Sequence, residues 1–422
     1  MSGQTLAQKV IARACGRARV ETGEIVTANV DLAMVHDSSG PRRLKPVLER
    51  LGVDVWDPDK IAVITDHFVP AYDDGTREIQ ALTKDWVRAQ NICAFHDQMG
   101  ICHVVLPEQG HLQPGMFVVG GDSHSPTGGA FGAYMFGIGA TEMAGVMATG
   151  KIWIMVPETI MIEWRGALQD YVTAKDIMLF LCGALGMDGG GYQAVQYSGS
   201  AISALSMRER MTLANMTAEL GGQTGLIEPD RVTLDFLEER GVSPGSTDHW
   251  RTDADARLLA HHRFHANRLA PQVAAPHSPA NARDISAYDK TPVSVAYIGA
   301  CTGAKLDDLR NAASVLENRN PARGVEILVA PASVQDQEIA ASEGVMKIFE
   351  DAGARILPTS CGICAGYGAN RLGEDVVCIS STARNFKGRM GAPSSQVYLG
   401  SPYTVAASAI AGYIADPREV AL

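Results

Sequence analysis

The chain has 422 residues, enough for about two to four domains and for large buried cores. Hydrophobic residues make up 46% of it and charged residues 20%, which excludes a wholly disordered chain. The formal net charge is −11 and no long run of lysine or arginine occurs, which argues against a role in binding nucleic acid or a membrane surface. An anionic substrate would therefore need a local cluster of basic side chains.

The first 160 residues alternate short apolar runs with amphipathic stretches. Thr5 to Gln8 has the pattern of a capping box that opens a helix. The longest apolar runs, 178–187 and 403–415, are shorter than the roughly 20 residues that cross a bilayer, and we expect a cytoplasmic protein. In this segment the predicted strands are Ile61–Ile64, Val104–Leu106, Phe117–Val119 and Ile152–Val156, and the predicted helices are Glu78–Asn91 and Thr141–Thr149.

Residues 161–285 are more helical, and the third segment, 286–422, returns to alternating strands and helices. A proline- and alanine-rich stretch at 266–292 predicts a linker or a surface crossover. The elements predicted in these two segments are helices Thr173–Leu185, Ser206–Leu220, Leu306–Glu317 and Val334–Ala352, and strands Val293–Ile298, Val325–Leu328, Arg355–Leu357 and Val376–Ile379. We predict an α/β fold of three domains with boundaries near 1–160, 161–285 and 286–422.

Three cysteines stand directly after predicted strands: Cys301, and the pair in Cys361-Gly-Ile-Cys364. Ligands bind at this end of the strands in doubly wound sheets. A zinc site usually needs a fourth ligand, and a redox pair would leave Cys301 unexplained. An iron–sulfur cluster held by three cysteines would leave one iron open to substrate. Buried, inert thiols are the simplest alternative, and the residues alone leave these possibilities open.

Histidines and aspartates follow strand-like runs of the first segment. An adjacent aspartate can orient an imidazole and raise its basicity, as a general acid or base requires. A single histidine is more often structural, but several at equivalent strand ends indicate a site. The candidates are Asp66-His67, His103, Asp122-Ser123-His124 and His36, with Glu219 one helical turn after Asn215 as a weaker one.

Two further patterns contain basic residues. In Ser381–Arg389, Arg384 and Arg389 are suited to bidentate recognition of carboxylates, although a solvated basic loop is the plainer alternative. Gly145–Lys151 has the spacing of a phosphate-binding loop. We reject that interpretation because a predicted helix precedes the glycine and a strand follows it, which is the reverse of the required order.

Together these motifs resemble the large subunit of the aconitase superfamily, in its 3-isopropylmalate dehydratase and homoaconitase branch. The resemblance runs from Thr5 to Arg418, nearly the whole chain. It implies three α/β/α domains of the aconitase type around a central [4Fe–4S] cluster with one open iron site, without the family's fourth, swivelling domain. It also implies reversible dehydration and rehydration of a small 2-hydroxy di- or tricarboxylic acid.

The resemblance also assigns roles to individual residues. It implies that the cluster ligands are Cys301, Cys361 and Cys364. It implies that acid/base and cluster-orienting functions lie with Asp66, His67, His103, Asp122, His124 and Glu219, and substrate contacts with His36, Ser123, Arg384 and Arg389. The open iron would take the substrate hydroxyl while His67, poised by Asp66, protonates it.

In this family the base that removes the carbon-bound proton is a serine of the swivelling domain. This chain ends at Leu422, directly after the third-domain pattern. We therefore expect a separate small subunit that carries the swivelling domain and the catalytic serine, and a nearly inactive isolated chain. We expect no nucleic acid and no membrane as partners.

Two residues depart from the family's usual pattern, because Gly303 and Ala383 stand where asparagine is common. The leading prediction is 3-isopropylmalate dehydratase. The alternatives within the family are homoaconitase and a dehydratase of another substituted malate, such as dimethylmalate or citramalate. Alternatives of another class are a cluster-free RNA-binding protein and a zinc enzyme that uses His67, His103 and His124 as ligands.

Overall fold

The computed structural model describes residues 3–288 and 290–420. The strands are β1 (Ile25–Asn29), β2 (Leu32–His36), β3 (Ile61–Thr65), β4 (Ala94–Asp97), β5 (Phe117–Gly120), β6 (Tyr134–Gly137), β7 (Lys151–Met155), β8 (Thr159–Arg165), β9 (Ala194–Ser198), β10 (Thr224–Ile227), β11 (Ala260–His265), β12 (Gln272–Ala274), β13 (Ala282–Asp284), β14 (Val295–Ile298), β15 (Glu326–Val329), β16 (Arg355–Ile356), β17 (Val377–Ser380) and β18 (Gln396–Leu399). The α-helices are α1 (Leu6–Ala14), α2 (Pro41–Leu51), α3 (Asp74–Ala89), α4 (Cys102–Glu108), α5 (Ala140–Thr149), α6 (Ala174–Leu185), α7 (Ser200–Ser203), α8 (Met207–Met216), α9 (Arg231–Glu238), α10 (Leu306–Leu316), α11 (Val334–Ser342), α12 (Val345–Asp351), α13 (Pro402–Ala411) and α14 (Pro417–Val420).

The first large sheet is parallel and has the strand order β4-β3-β2-β5-β6. Every residue of β2 and β3 is buried, as expected for apolar strands covered on both faces. Strand β2 lies in the middle of the sheet, and the strands that follow it in sequence are added first on one side (β3, β4) and then on the other (β5, β6). Ligands bind at such a switch point, outside the carboxyl ends of the strands. His36 ends β2 at that point.

The second sheet is also parallel, with the order β10-β9-β8-β11. Helix α8 packs against this sheet, and its last turn carries Asn215. Glu219 lies three residues after the end of this helix and is fully buried. Strands β1 and β7 form a separate antiparallel ribbon in which Ile25 lies opposite Met155.

The third sheet has the order β13-β12-β18-β17-β14-β15-β16 and is parallel from β18 to β16. Strand β14 is its switch point, with β17 on one side and β15 on the other. The antiparallel edge strands β12 and β13 lie within the stretch 266–292. The expectation of a linker is therefore wrong for that part, because these residues extend the sheet by pairing with the free edge of β18.

The run Val104–Leu106 is a helix and the strand prediction is wrong. These residues lie in α4, whose first backbone N–H, on Cys102, donates to Oδ2 of Asp66 at 2.8 Å. Complete burial and this carboxylate cap override the preference of the valines for strands. His103 therefore lies in the first turn of a helix and not before a strand. The strand in this part of the chain is β4, which the sequence did not indicate.

Other predictions have mixed outcomes. Thr5 forms the predicted capping box with Gln8. Helix α5 ends at Gly150 and β7 begins at the next residue, which confirms that no phosphate loop forms there. The single helix predicted for Val334–Ala352 is wrong, because Gly344, with a φ of 80°, separates α11 from α12.

The core joins the three sheets. One apolar cluster contains residues of the first and third sheets, such as Met34 and Ile298. A second contains residues of the second and third, such as Trp164 and Tyr297. The predicted α/β class with mostly parallel strands is confirmed, while the domain boundaries stay a prediction. In the part of the chain that the structure describes, no helix is both long and apolar enough to cross a membrane.

Candidate active site

The three cysteines singled out from the sequence line one cavity. Cys301 follows β14, and the other two lie in a 3₁₀ turn after β16. The N–H of Cys361 donates to the carbonyl of Asp66 at 2.8 Å, which joins the cysteine turn to the first sheet. The tertiary structure thus brings together two loops of the third sheet and one edge of the first.

The thiols are free and differ in their electrostatics. Burial raises the pKa of Cys301 to about 12. A hydrogen bond between Cys361 and Cys364 raises the pKa of the first and lowers that of the second, and Arg389 favours the Cys364 thiolate further. The pair can therefore hold one negative charge near neutral pH before any metal binds.

The spacing of the donor atoms bears on the zinc alternative. Thiolates around one tetrahedral zinc lie about 3.8 Å apart, given Zn–S bonds of about 2.3 Å. In residues 3–288 and 290–420, the groups of donors lying within 4.8 Å of one another are His36-Asp37-Asp66-His67 and His103-Asp122-His124. The three cysteines form no such group, and the three histidines of the zinc alternative are divided between the two groups. That alternative is not supported.

Asp66 and His67 form the first acid/base pair. Nδ1 of His67 lies 2.7 Å from Oδ1 of Asp66, and both side chains are buried. Burial alone would lower the pKa of His67, but the Asp66 carboxylate outweighs it and raises the pKa to about 9. His36 stacks on His67 with ring centres 3.9 Å apart. His67 is therefore a protonated, oriented imidazole at neutral pH.

The second pair is His103 and Asp122. Nε2 of His103 donates to Oδ1 of Asp122 at 2.7 Å. Burial opposes the charge of Asp122, but His103, His124 and His36 together hold the pKa of this carboxyl well below its usual range. Burial lowers the pKa of His103. Its Nδ1 is buried and lacks a partner among the described residues, so His103 is a neutral imidazole with one free nitrogen.

A third network links His124, Glu219 and Arg384. Nε2 of His124 lies 3.0 Å from Oε1 of Glu219, and Nε of Arg384 donates to the same oxygen at 2.5 Å. Burial would raise the pKa of Glu219, but Arg384 and His124 lower it to about 2. Burial and Arg384 lower the pKa of His124, but Glu219 and Asp122 outweigh them and raise it.

Two arginines reach the site from the loop after β17. Nη1 of Arg384 donates to Oγ of Ser123 at 2.9 Å, and both residues line a cleft next to the cavity, which Asp122 also borders. Arg389 lines the cavity itself and donates from Nε to the carbonyl of Cys364 at 2.9 Å. These are the basic side chains that an anionic ligand would require in an acidic chain.

Asn215 touches the sulfur site directly. Its Nδ2 lies 3.3 Å from Sγ of Cys301 and 2.8 Å from Oγ1 of Thr127. Its Oδ1 and Oε2 of Glu219 are buried without a partner in the described residues. A buried oxygen without a hydrogen bond lowers the stability of the folded protein. These two oxygens therefore indicate a place for a ligand or an ordered water.

The two departures from the family pattern have different surroundings. A Cβ on Gly303 would lie 2.3 Å from Oγ of Ser381 and 2.6 Å from its carbonyl oxygen. Ser381 therefore occupies the space of the missing side chain, and its Oγ accepts from the N–H of Gly299 at 2.9 Å. Ala383, by contrast, lines the cavity, where an asparagine would reach its contents.

The structure brings all the predicted site residues to one place. Those that line the cavity are Asp66, His67, His103, Asp122, His124, Cys301, Cys361, Cys364 and Arg389. Of the remaining ones, His36 contacts Asp122 and Glu219 contacts His124, which belong to that set. Arg384 joins them through its hydrogen bonds to Glu219 and Ser123. The sequence reasoning missed Lys175, whose ammonium lies behind the cysteine loop, because a lysine in the first turn of a helix normally indicates a solvated side chain.

Comparison with known proteins agrees with this site. The model of the aconitase family (aconitate hydratase) matches residues 8–292 and 285–412. The probable 3-isopropylmalate dehydratase large subunit of Methanothermobacter thermautotrophicus is 43% identical over 418 residues, covering 99% of each chain. The probable methanogen homoaconitase large subunit of the same organism is 41% identical over 426 residues, covering 100% of this chain and 99% of its own. The 3-isopropylmalate dehydratase large subunit of Aquifex aeolicus is 40% identical over 425 residues, covering 99% and 98%.

These matches extend over nearly the full length of both partners, at identities far above chance. Members of the matching family generally carry a [4Fe–4S] cluster. The predicted resemblance is confirmed: the chain belongs to the aconitase family.

Proposed function

We propose that this chain is the cluster-bearing large subunit of an iron–sulfur hydro-lyase, most simply a 3-isopropylmalate dehydratase. The reaction would isomerise a 2-hydroxy acid by dehydration and rehydration. The observation that carries the proposal is the single cavity lined by three free cysteines, two imidazoles with raised pKa values and an arginine. The names of the relatives support the substrate, since most of those compared are 3-isopropylmalate dehydratase large subunits.

Cys301, Cys361 and Cys364 would hold the [4Fe–4S] cluster. Three points support this fit: the thiols are free, they line a shared cavity, and they are not grouped as tightly as ligands of one zinc ion. Three ligands for four irons leave one iron open. When bound, the cluster supplies a Lewis acid that polarises the substrate hydroxyl and makes it a better leaving group.

His67 is the proposed general acid. The leaving hydroxyl needs a proton, and His67 carries one at neutral pH because Asp66 holds its pKa at about 9. Asp66 itself is fixed by the N–H of Cys102, which keeps the imidazole in one orientation. His124 is a second proton carrier, paired with Glu219, while His103 is oriented by Asp122.

Arg384 and Arg389 are proposed to hold the substrate carboxylates. Arg389 uses Nε for the Cys364 carbonyl, and its other nitrogens form no hydrogen bond within the described residues. They are therefore available for an incoming anion. Arg384 is positioned by Glu219 and Ser123 at the border between the cavity and the neighbouring cleft. Two arginines at one site suit a dicarboxylic acid.

We further propose that a separate small subunit completes the site with its swivelling domain and catalytic serine. The relatives are called large subunits, which supports a second chain. The reaction also needs a base for the carbon-bound proton. The carboxylates of Asp66, Asp122 and Glu219 are poor bases, because their paired partners keep each pKa low.

The test is an anaerobic reconstitution of the cluster, followed by assay with and without the small subunit of the same source. We expect turnover of 3-isopropylmalate only when both chains and the cluster are present. Substantial turnover by the loaded large subunit alone would contradict the two-chain proposal and make His103 the candidate base. A chain that takes up no cluster would contradict the function as a whole.

Homoaconitase and dehydratases of other substituted malates are the second candidates. Ala383 supports considering them, because it lines the cavity and leaves room and one fewer amide next to the ligand. The same reconstituted enzyme should be assayed against homoaconitate, citrate, citramalate and dimethylmalate. The highest kcat/KM identifies the substrate.

A further inference from the structure

A buried lysine lies directly behind the two loops that form the sulfur site. Lys175, in the first turn of α6, is 2% exposed. Its Nζ donates to the carbonyl of Ser381 at 3.0 Å, to the carbonyl of Thr382 at 2.5 Å and to Oγ1 of Thr302 at 3.3 Å. Ser381 and Thr382 begin the loop that carries Arg384 and Arg389, which we call the arginine loop. Thr302 belongs to the loop after β14 that carries Cys301, which we call the cysteine loop. The ammonium of Lys175 is thus hydrogen-bonded to both loops.

All three acceptors are neutral oxygens. Among the described residues, no carboxylate lies within ion-pairing distance of this ammonium. A buried charge without a counter-charge is strongly unfavourable. Burial accordingly lowers the pKa of Lys175 to about 8, and the groups that act in the opposite direction are Glu219, Cys364 and Cys301. Glu219 is itself paired with Arg384 and His124. In the cluster-free chain Cys301 stays protonated, because its pKa is raised, and the Cys364 thiolate is favoured by Arg389. A cofactor held by all three thiolates would add the anion that Lys175 lacks.

Lys305, which follows Cys301 in the loop after β14, provides a contrast to Lys175. It is equally buried, and it too donates to the cysteine loop, through the Cys301 carbonyl at 3.0 Å. Unlike Lys175, it has its own carboxylate, Asp308, at 2.7 Å. The two lysines are therefore matched in burial and location and differ in whether a fixed protein anion balances them.

We propose that Lys175 is a positioning residue whose buried charge balances the anionic sulfur site and fixes the cysteine and arginine loops relative to each other. This inference rests on the proposed function in taking the anion to be three thiolates with their cluster. A [4Fe–4S] core of charge +2 with three thiolates carries a net charge of about −1, which one ammonium neutralises.

The test compares Lys175→Met and Lys305→Met with the wild-type chain, each in its cluster-free and cluster-loaded forms. Melting temperature and the rate of cluster loss to a chelator, followed by visible absorbance, are the readouts. For the cluster-free form we expect K175M to melt at or above the wild-type temperature, since an unbalanced charge is removed. We expect K305M to melt lower, since Asp308 is left buried and unpaired.

For the loaded form we expect K175M to lose its cluster faster, on the order of tenfold, and to gain less melting temperature from the cluster than the wild-type chain does. Lys175→Gln, which retains a hydrogen-bond donor without the charge, should resemble K175M. A cluster-free K175M that is as unstable as K305M, or unfolded, overturns the inference. So does a K175M that retains the cluster as the wild-type chain does. A wild-type chain that binds no cluster contradicts the proposed function itself.

Discussion

The cavity has two walls of different construction. The imidazole wall consists of His36, His67, His103 and His124 with the carboxylates of Asp66, Asp122 and Glu219. The sulfur wall consists of Cys301, Cys361 and Cys364. In the first wall every imidazole is within reach of a carboxylate. In the second, the sulfurs have one amide and one another as their hydrogen-bonding partners.

This difference shows which part of the site is preorganised by the chain itself. The imidazole wall is oriented before any ligand binds, and the carboxylates raise the pKa values of His67 and His124. The sulfur wall lacks such internal balance, and within residues 3–288 and 290–420 no carboxylate pairs with Lys175 behind it. The sulfur wall should therefore depend on a bound cofactor for its charge balance, whereas the imidazole wall should not.

Cys361→Ala gives the largest expected effect. Loss of one of three ligands should abolish stable cluster uptake and reduce turnover of the two-subunit enzyme by at least about a thousandfold. The melting temperature of the cluster-free protein should change little, because the imidazole wall does not depend on this sulfur. Iron content, visible absorbance and kcat check this.

Cys93→Ser is the matched control, since Cys93 is exposed and remote from the cavity lining. It should load and turn over like the wild-type enzyme. Normal iron content and activity in C361A would show that the sulfur wall does not hold the cofactor.

Asp66→Asn removes the carboxylate that pairs with His67 in the imidazole wall. We expect a loss of about a hundredfold in kcat near neutral pH. With Asp66 present, His67 stays protonated up to a pKa of about 9, so the acid form is lost only as pH rises through that value. Without Asp66, burial is opposed only by Asp122 and Asp37, so the pKa of His67 falls from that value. The alkaline limb of the pH–kcat profile should therefore move to lower pH by one unit or more.

The fall in the pKa of His67 should also change the pH dependence of the stability of the cluster-free protein. A raised pKa stabilises the folded state fully below the ordinary histidine pKa of about 6.5, and this contribution is lost as pH rises towards 9. The melting temperature of the cluster-free D66N should fall less over that range than that of the wild-type chain. Asp97→Asn, at the end of the neighbouring strand β4, is the control and should retain the wild-type profile. An unchanged alkaline limb in D66N would refute the pairing.

Gly303→Ala gives the smallest expected effect, on the contact between the loop that carries Cys301 and the loop that begins at Ser381. The added Cβ would lie 2.6 Å from the carbonyl oxygen of Ser381, which cannot rotate away. We expect a loss of about 2 kcal/mol in the free energy of unfolding. Gly145→Ala, in the exposed face of α5 with no atom within 4 Å of its Cβ, should instead stabilise by about 0.5–1 kcal/mol. Denaturant unfolding of both variants measures the difference, and a neutral G303A would mean that the loops are free to separate.

Much of the site was predictable because its chemistry depends on residue type and on position after strands. The cysteines and the Asp-His pairs stand in short polar turns at strand ends, which parallel sheets bring to one edge. Val104–Leu106 was mispredicted because β-branched residues favour strands, and only the Asp66 carboxylate at the helix start and full burial decide for a helix. The antiparallel strands β12 and β13 were missed because a proline-rich composition normally indicates a linker.

The sequence by itself determined the family and the α/β class, and it predicted the candidate residues for iron, protons and carboxylates, since these follow from residue types and their order. The tertiary structure decided which of them face one another. It brought Cys361 to the backbone of Asp66 and gave Glu219 both His124 and Arg384 as partners. It also gave Lys175 neutral oxygens, and no carboxylate of the described part of the chain, as partners. These pairings set the pKa values and the charge balance, because burial and distances of 3 Å between distant residues exist only in the folded chain.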